Sequence, residues 1–353
     1  MSKSDDLTLT PMPNTPIIAL DAMGGDFGPE VIIPAALLVL KEKPGVELIL
    51  VGQEELLLSY FSEHNVSRPA NLHIQHASEV VAMDESPAQA LRKKKDSSLR
   101  VAINLVHEGK ANAAVSAGNT GALMATAKFV LKTLPGIDRP AIMTTLPSMT
   151  GHTHMLDLGA NVDCSAEHLF QFAVMGSITA SAVDNIENPR IGLLNVGSEA
   201  MKGNAQVKEA DRLLQSANLN YIGYVEGDDI YNGSVDVVVC DGFVGNVSLK
   251  TSEGVAKMIS YYMKQEFKRN LLTRLAGLIA MPVLKAFKNR IDPRVYNGAS
   301  LLGLQDIVIK SHGGADAFSF SNAIKIALLE VEKAIPQRID KHLETLLERE
   351  ETV

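Results

Sequence analysis

A doubly wound α/β fold is what this sequence predicts, on three observations. Short runs rich in Val and Ile recur along the chain, helical periodicity follows each of them, and glycine-rich turns fall where strand gives way to helix. The runs are Ile17 to Leu20, Glu47 to Val51, Ala113 to Ser116, Arg190 to Asn195 and Asp236 to Cys240. They are nearly continuous in apolar character, as strands covered on both faces are. Helices are predicted over Pro29 to Lys41, Thr120 to Thr133, Ala166 to Val183, Asn204 to Ala217, Gly245 to Met263 and Ala317 to Lys333. No internal repeat or low-complexity linker marks a boundary, so one continuous α/β domain is expected over residues 16–335. Residues 1–15, polar and carrying Pro11 and Pro13, read as a disordered tail, and residues 336–353 as a helical one.

Composition narrows the function classes. Of 353 residues 46% are hydrophobic, enough for a large core, while aromatics are 5% with no Trp. A formal net charge of -8 and few stacking side chains argue against nucleic acid as a partner. Cys164 and Cys240 are too few for a disulfide framework and lack metal-ligand spacing, so both read as buried apolar residues of a reducing cytoplasm. No run reaches the roughly 18 to 20 apolar residues that span a bilayer.

In such sheets ligands bind beyond the carboxyl ends of the strands, which directs attention to five loops. After the first strand, DAMGGDFGPE holds Asp21, Gly24, Gly25 and Asp26 ahead of a helix opened by Pro29. Paired glycines allow backbone to approach a ligand, or simply make a tight turn, and the spacing is not the dinucleotide fingerprint. SAGNTGALMA repeats the design with Ser116, Gly118, Asn119, Thr120 and Gly121, a phosphate or oxyanion cradle or a plain helix cap. LLNVGSEAMKGN places Asn195, Ser198, Glu199 and Lys202 between strand and helix. A lysine there opposes the helix dipole unless an anion or Glu199 compensates it, the alternative being a surface ion pair. LDLGANVDC and VVCDGFVGNVSLK contribute Asn161, Asp241 and Asn246 beside further carboxylates, which orient lysines, relay protons or cap helices. No His and carboxylate set of recognisable spacing predicts a metal site, and no cofactor is expected.

Two basic segments stand out against the acidic balance. Arg92, Lys93, Lys94 and Lys95 form either a solvated helix end or a dock for an acidic protein or phosphate. Lys264 to Arg290 reads as a basic amphipathic helical hairpin broken at Pro282, with Leu271, Leu272, Leu275, Leu278, Ile279, Val283 and Phe287 as its apolar positions. Such a hairpin adsorbs to an anionic membrane or is buried against another subunit or a carrier protein.

Taken in order, DAMGGDFGP, ALRKKKDSS, SAGNTGALM, DRPAI, LDLGANVDC, LLNVGSEAMKGN, VVCDGFVGNVSLK, NGASLLGL and VIKSHG resemble the blocks of the phosphate acyltransferase family of bacterial phospholipid synthesis, over about Ile17 to Ala334. The resemblance implies a three-layer α/β/α fold on one mixed, mostly parallel sheet, similar to isocitrate dehydrogenase and phosphotransacetylase, usually as a homodimer. It further implies that acyl-acyl carrier protein and inorganic phosphate are the substrates. Through the hairpin it implies peripheral association with the inner face of the cell membrane, where a membrane-bound glycerol-phosphate acyltransferase would take the product.

For that reaction phosphate itself attacks the thioester, so no enzyme nucleophile is needed and the protein's task is electrostatic and positional. Lys202 is then expected to neutralise phosphate or oxyanion. Backbone N–H groups around Gly118 to Gly121 and Gly24 to Gly25 would complete the cradle, with Asn119, Thr120 and Asn161 orienting it. Rival readings are a coenzyme A-dependent acyltransferase, a hydride-transferring relative on the same fold, and a membrane-adsorbed scaffold without catalysis.

Overall fold

The computed structural model describes residues 15–350, with the side chains at 288 and 345–350 left aside. The N-terminal tail expected over 1–15 and the last three residues of the C-terminal one lie, but for residue 15, outside the described residues. The chain divides into two compact units, Met1–Pro140 with Asn297–Val353, and Ala141–Tyr296, at places where composition shows no linker.

The first unit contains β1 (Ile17–Asp21), α1 (Pro29–Glu42), β2 (Glu47–Gly52), α2 (Glu54–Glu63), β3 (Leu72–His76), α3 (Pro87–Lys93), α4 (Ser98–His107), β4 (Ala113–Ser116) and α5 (Thr120–Leu131). The second contains β5 (Ala141–Ser148), β6 (Gly151–Leu156), α6 (Ala166–Asp184), β7 (Ile191–Leu194), α7 (Ala205–Ser216), β8 (Tyr221–Val225), α8 (Asp229–Asn232), β9 (Val237–Val239), α9 (Gly242–Lys268) and α10 (Leu271–Ile291). The chain then returns to the first unit with β10 (Ala299–Leu302), β11 (Ile307–Lys310), α11 (Ala317–Lys333) and α12 (Ile335–Glu350).

In the first unit the strands lie in the order β3-β2-β1-β4-β11-β10, parallel except for β10, which runs antiparallel to β11. Helices cover both faces. Ile18 and Leu20 of β1, Val115 of β4 and Ile309 of β11 pack with Ile32, Ile33 and Val39 of α1 and Phe320, Ile324 and Leu328 of α11 into one buried cluster. Alternate strand residues point to opposite faces. Asp21, Ser116 and Lys310 therefore share the other face, the one on which α4 meets β1 and β4. From β1 the chain goes outward to β2 and from β4 toward the other edge, so the β1/β4 boundary is the switch point at which open α/β sheets bind ligands.

In the second unit the order is β5-β6-β9-β7-β8, with β5 and β6 antiparallel and the rest parallel. Its core is built on Met155, Leu156, Val237 and Val239 of the strands and on Phe172, Val174 and Met175 of α6, all buried. Both units are thus helix-flanked, mostly parallel sheets with antiparallel members, an α/β fold.

The helical hairpin differs in two respects from the sequence expectation. Its turn lies at Arg269–Asn270 and not at Pro282, which sits inside α10. The reason is capping: Asn270 Oδ1 accepts from the Thr273 N–H at 2.9 Å and Thr273 Oγ1 accepts from the Asn270 N–H at 3.0 Å, which satisfies two donors at the helix start. The arms are also longer than residues 264–290. Leu271, Leu272, Leu275, Leu278, Ile279, Val283 and Phe287 are all exposed, the first at 80% and Phe287 at 44%.

Candidate functional site

Neighbouring strands in register align three polar residues in a row across the switch point of the first unit. Asp21 pairs with Ser116 across β1 and β4, and Ser116 with Lys310 across β4 and β11. All three are buried at the carboxyl ends of their strands, an expensive arrangement that demands mutual satisfaction. Ser116 Oγ donates to Asp21 Oδ2 at 2.6 Å and accepts from the Gly118 N–H at 3.0 Å. The Lys310 ammonium donates to the Ala117 carbonyl at 3.3 Å and to the Ser311 carbonyl. Burial raises the pKa of Asp21, against the hydroxyls of Ser116 and Ser98, the Met23 backbone and the attraction of Lys310.

The loops above this floor are pressed together, which explains their glycines. A Cβ on Gly24 would sit 2.5 Å from Asp21 Oδ2 and 2.9 Å from the Gly118 nitrogen, and Gly25, at φ 84°, would drive one to 2.9 Å from both Ala117 Cβ and the Gly313 carbonyl. The Asp26 N–H donates to that same carbonyl at 2.9 Å, so the loop after β1 is tied to the loop after β11. Gly118 spends its N–H on Ser116, and the cradle expected from Gly118 to Gly121 narrows accordingly. Asn119 caps α5 by accepting from the Ala122 N–H at 2.9 Å, while its amide holds the Met83 and Glu85 carbonyls at 2.8 and 3.0 Å. Asn119 is therefore an orienting residue fully occupied by backbone. The N–H groups of Thr120 and Gly121, in the first turn of α5, have no acceptor within the helix, and Thr120 is exposed. A helix N-terminus and a buried ammonium thus favour negative charge at one loop.

Lys310 was absent from the residues expected at the site. A signal existed: an apolar strand ending in lysine and followed by Gly313 and Gly314 repeats the strand-then-paired-glycine arrangement after β1. A strand-end lysine is ordinarily solvated, and only the pairing of β11 with β4 buries this one.

In the second unit Asp157, one residue beyond β6, plays the corresponding part. Its Oδ1 accepts from the Ile142 and Ala160 N–H groups at 3.0 and 3.1 Å, and its Oδ2 from the Asn161 N–H and side-chain amide at 2.7 and 2.9 Å. Burial still raises its pKa. Asn161 is thereby oriented by Asp157. A Cβ on Gly245 would fall 1.9 Å from the Asp157 carbonyl, so α9 can approach β6 only with glycine there. Asp241 caps α9, accepting from the Val244 N–H at 2.8 Å, and Asn246 is exposed one turn on. Cys164 and Cys240 are both buried as expected, and burial pushes the Cys240 thiol well up.

Lys202 is exposed, its Nζ 2.7 Å from Glu199 Oε2, and this contact holds its pKa above the ordinary lysine value. The compensation that a lysine at this position requires is thus supplied by Glu199. Asn195 fastens the loop with its amide to the Gly197 and Lys202 carbonyls at 3.0 and 3.3 Å, and Ser198 is exposed. Of the basic run, Arg92, Lys93 and Lys95 are exposed, whereas Lys94 is half-buried and donates to the Val80 carbonyl at 3.0 Å.

Away from these loops, and against the expectation of no metal-ligand set, His152, His154 and Asp184 present ligand atoms within 4.8 Å of one another. Among the described residues no helix is long and apolar enough to cross a membrane.

Residues 17–338 match the family model described as "Fatty acid synthesis protein". The chain is 64% identical over 335 residues to the phosphate acyltransferase of Alkalilimnicola ehrlichii, covering 95% of this chain and 98% of that one. Over 326 residues it is 65% identical to the phosphate acyltransferase of Methylococcus capsulatus, covering 92% and 96%. Among solved structures, a phosphotransacetylase from Streptococcus pyogenes superposes with a TM-score of 0.60 at 20% identity, over 91% of this chain and 95% of that one. EutD phosphotransacetylase from Staphylococcus aureus does so at 0.57 and 17%, over 90% and 94%. At these identities the structural likeness speaks for the fold alone.

Proposed function

The chain belongs to the phosphate acyltransferase family and is an acyltransferase, and from that premise we propose that it moves a fatty acyl group from the thioester of acyl-acyl carrier protein to inorganic phosphate, giving acyl phosphate. The observation that carries the reading is the switch-point loop of the first unit, where the N-terminal turn of α5 lies over a floor of Asp21, Ser116 and Lys310. A phosphate seated at that turn meets amide dipoles whose orientation is held by Asn119 and Ser116 before the substrate arrives.

In the proposed step a phosphate oxygen attacks the thioester carbonyl. The new C–O bond forms, the C–S bond breaks, and the thiol leaves with the proton that phosphate gives up. A thiol of ordinary pKa, about 8.5, is a good enough leaving group to need little acid help. Neither cysteine suits a nucleophilic role, since both are buried and Cys240 is held protonated. We assign Lys202 to neutralising phosphate or the tetrahedral oxyanion, by exchanging its contact with Glu199 for the substrate's charge. Asp241 and Asn161 shape the loops of the second unit.

We further propose that the exposed Arg92, Lys93 and Lys95 receive the acidic carrier, that the chain acts as a homodimer, and that the apolar face of α10 rests on the cytoplasmic membrane surface. There acyl phosphate would reach a membrane-bound glycerol-phosphate acyltransferase. The test is direct: the purified chain is given palmitoyl-carrier protein or palmitoyl-coenzyme A with orthophosphate, and acyl phosphate is trapped as the hydroxamate. Product from the carrier thioester supports the reading. Product from the coenzyme A thioester alone would transfer it to a coenzyme A-dependent enzyme, and none from either would refute it.

A further inference from the structure

Strand β6 carries a group of side chains that the acyl transfer does not use. His152 and His154, two residues apart on one strand, project to the same face, and Asp184, the last residue of α6, meets them there. His152 Nε2 lies 3.0 Å from Asp184 Oδ1 and His154 Nε2 lies 2.7 Å from Asp184 Oδ2. The two rings stand edge to face with centroids 5.1 Å apart. His154 Nδ1 is 3.1 Å from Thr145 Oγ1 on the paired strand β5, and either atom can donate in this contact, so a proton held on Nδ1 toward Thr145 would free Nε2 for a cation. That is the outer-shell contact a metal-binding histidine ordinarily has.

Exposure and charge suit an ion. The side chain of His154 is 3% exposed and that of Asp184 14%, but that of His152 is 37% exposed, so the group is fixed on one side and open to solvent on the other. Nearby, the Asp236 backbone carbonyl accepts from the His154 N–H at 2.8 Å, and the Asp236 carboxylate is paired with Arg190 at 2.7 Å. Its charge is thus balanced, and Asp184 supplies the net negative charge facing the imidazoles. Two imidazole nitrogens and one carboxylate oxygen, with open positions for water, are a donor set for first-row divalent cations and for zinc above all.

We propose that His152, His154 and Asp184 bind a zinc-type divalent cation that ties β6 to the end of α6. The site lies on the amino side of Asp157 along β6. Three residues at about 3.3 Å each put roughly 10 Å between the backbone positions of His154 and Asp157. The cation is accordingly a clip that steadies the strand from which Asp157 projects, and not a participant in acyl transfer.

The full chain, freed of metal with a chelator and dialysed, is titrated with Co2+ and, separately, with Zn2+. The expected result is one cation per chain, a visible Co2+ absorption characteristic of nitrogen and oxygen ligation, and a melting temperature raised by at least about 2 °C with Zn2+. His152→Ala removes the exposed ligand without opening the core, and Asp184→Asn keeps the size of the half-buried one. Each is expected to weaken binding by about tenfold or more while the far-ultraviolet circular dichroism stays that of the parent. Failure of the parent chain to bind either ion would overturn the proposal, as would an unchanged Co2+ spectrum and affinity in folded His152→Ala.

Discussion

Replacing Glu330 with glutamine tests whether the core of the first unit holds an ionisable group against its preference. Glu330 lies on α11, is 4% exposed, and accepts a hydrogen bond from the Ser300 hydroxyl of β10. Burial pushes its carboxyl up to about 7 from an ordinary 4.5, the Ser300 contact pulling the other way. Such a rise means that the native state binds the proton more tightly than the unfolded chain by about 3 kcal/mol. Because the folded value is the higher one, this stabilisation is complete below the unfolded pKa of 4.5 and disappears as pH climbs through about 7. Glutamine keeps the shape and never ionises. The stability of the parent relative to Glu330→Gln should therefore fall by about 2 kcal/mol between about pH 5.5 and about pH 7.5, most of the full difference. Urea unfolding of both proteins at the two pH values measures it, since every other titrating group cancels in the comparison. An offset between the two proteins that is the same at both pH values would refute the reasoning.

Lys310→Met should lower kcat/KM for acyl phosphate formation by about a hundredfold or more, and should destabilise the fold by leaving Asp21 buried without its cation; adding Asp21→Asn should recover stability but not activity, and full activity in either variant would remove the row from the site. Lys202→Ala should cut turnover by orders of magnitude with little change in melting temperature, because its ion pair with Glu199 is exposed; near-parental rates would leave Lys202 as a surface residue only. Leu275→Glu with Ile279→Glu, both on the exposed face of α10, should reduce co-sedimentation with anionic liposomes while soluble-substrate activity persists; unchanged sedimentation would point instead to a protein partner on that face.

What the amino acids determined by themselves was local. Alternating apolar runs and helical periodicity located β1, β2, β4, β7 and β9 and the helices α1, α5, α6, α7, α9 and α11, because side-chain period and capping are written within a few residues. Asp241 closing the start of α9 and Asn204 that of α7 are of this kind. The loops at the strand ends were legible for the same reason, since a glycine pressed against Asp21 or Ala117 leaves its mark in composition. The strands β3, β5, β6, β8, β10 and β11 were not read, being short or carrying polar residues, and neither was the division at residues 140 and 297, which no linker announces. Tertiary structure alone decided which polar groups are spent and which are placed to act. Register between β4 and β11, almost two hundred positions apart, turned Lys310 from a surface lysine into a buried one. Three backbone carbonyls from the segment before α3 occupied Asn119, and Glu199 claimed Lys202. A strand and a helix end thirty residues apart assembled His152, His154 and Asp184. Burial and pairing are sums over neighbours distant in the chain, and a one-dimensional pattern carries no measure of that distance.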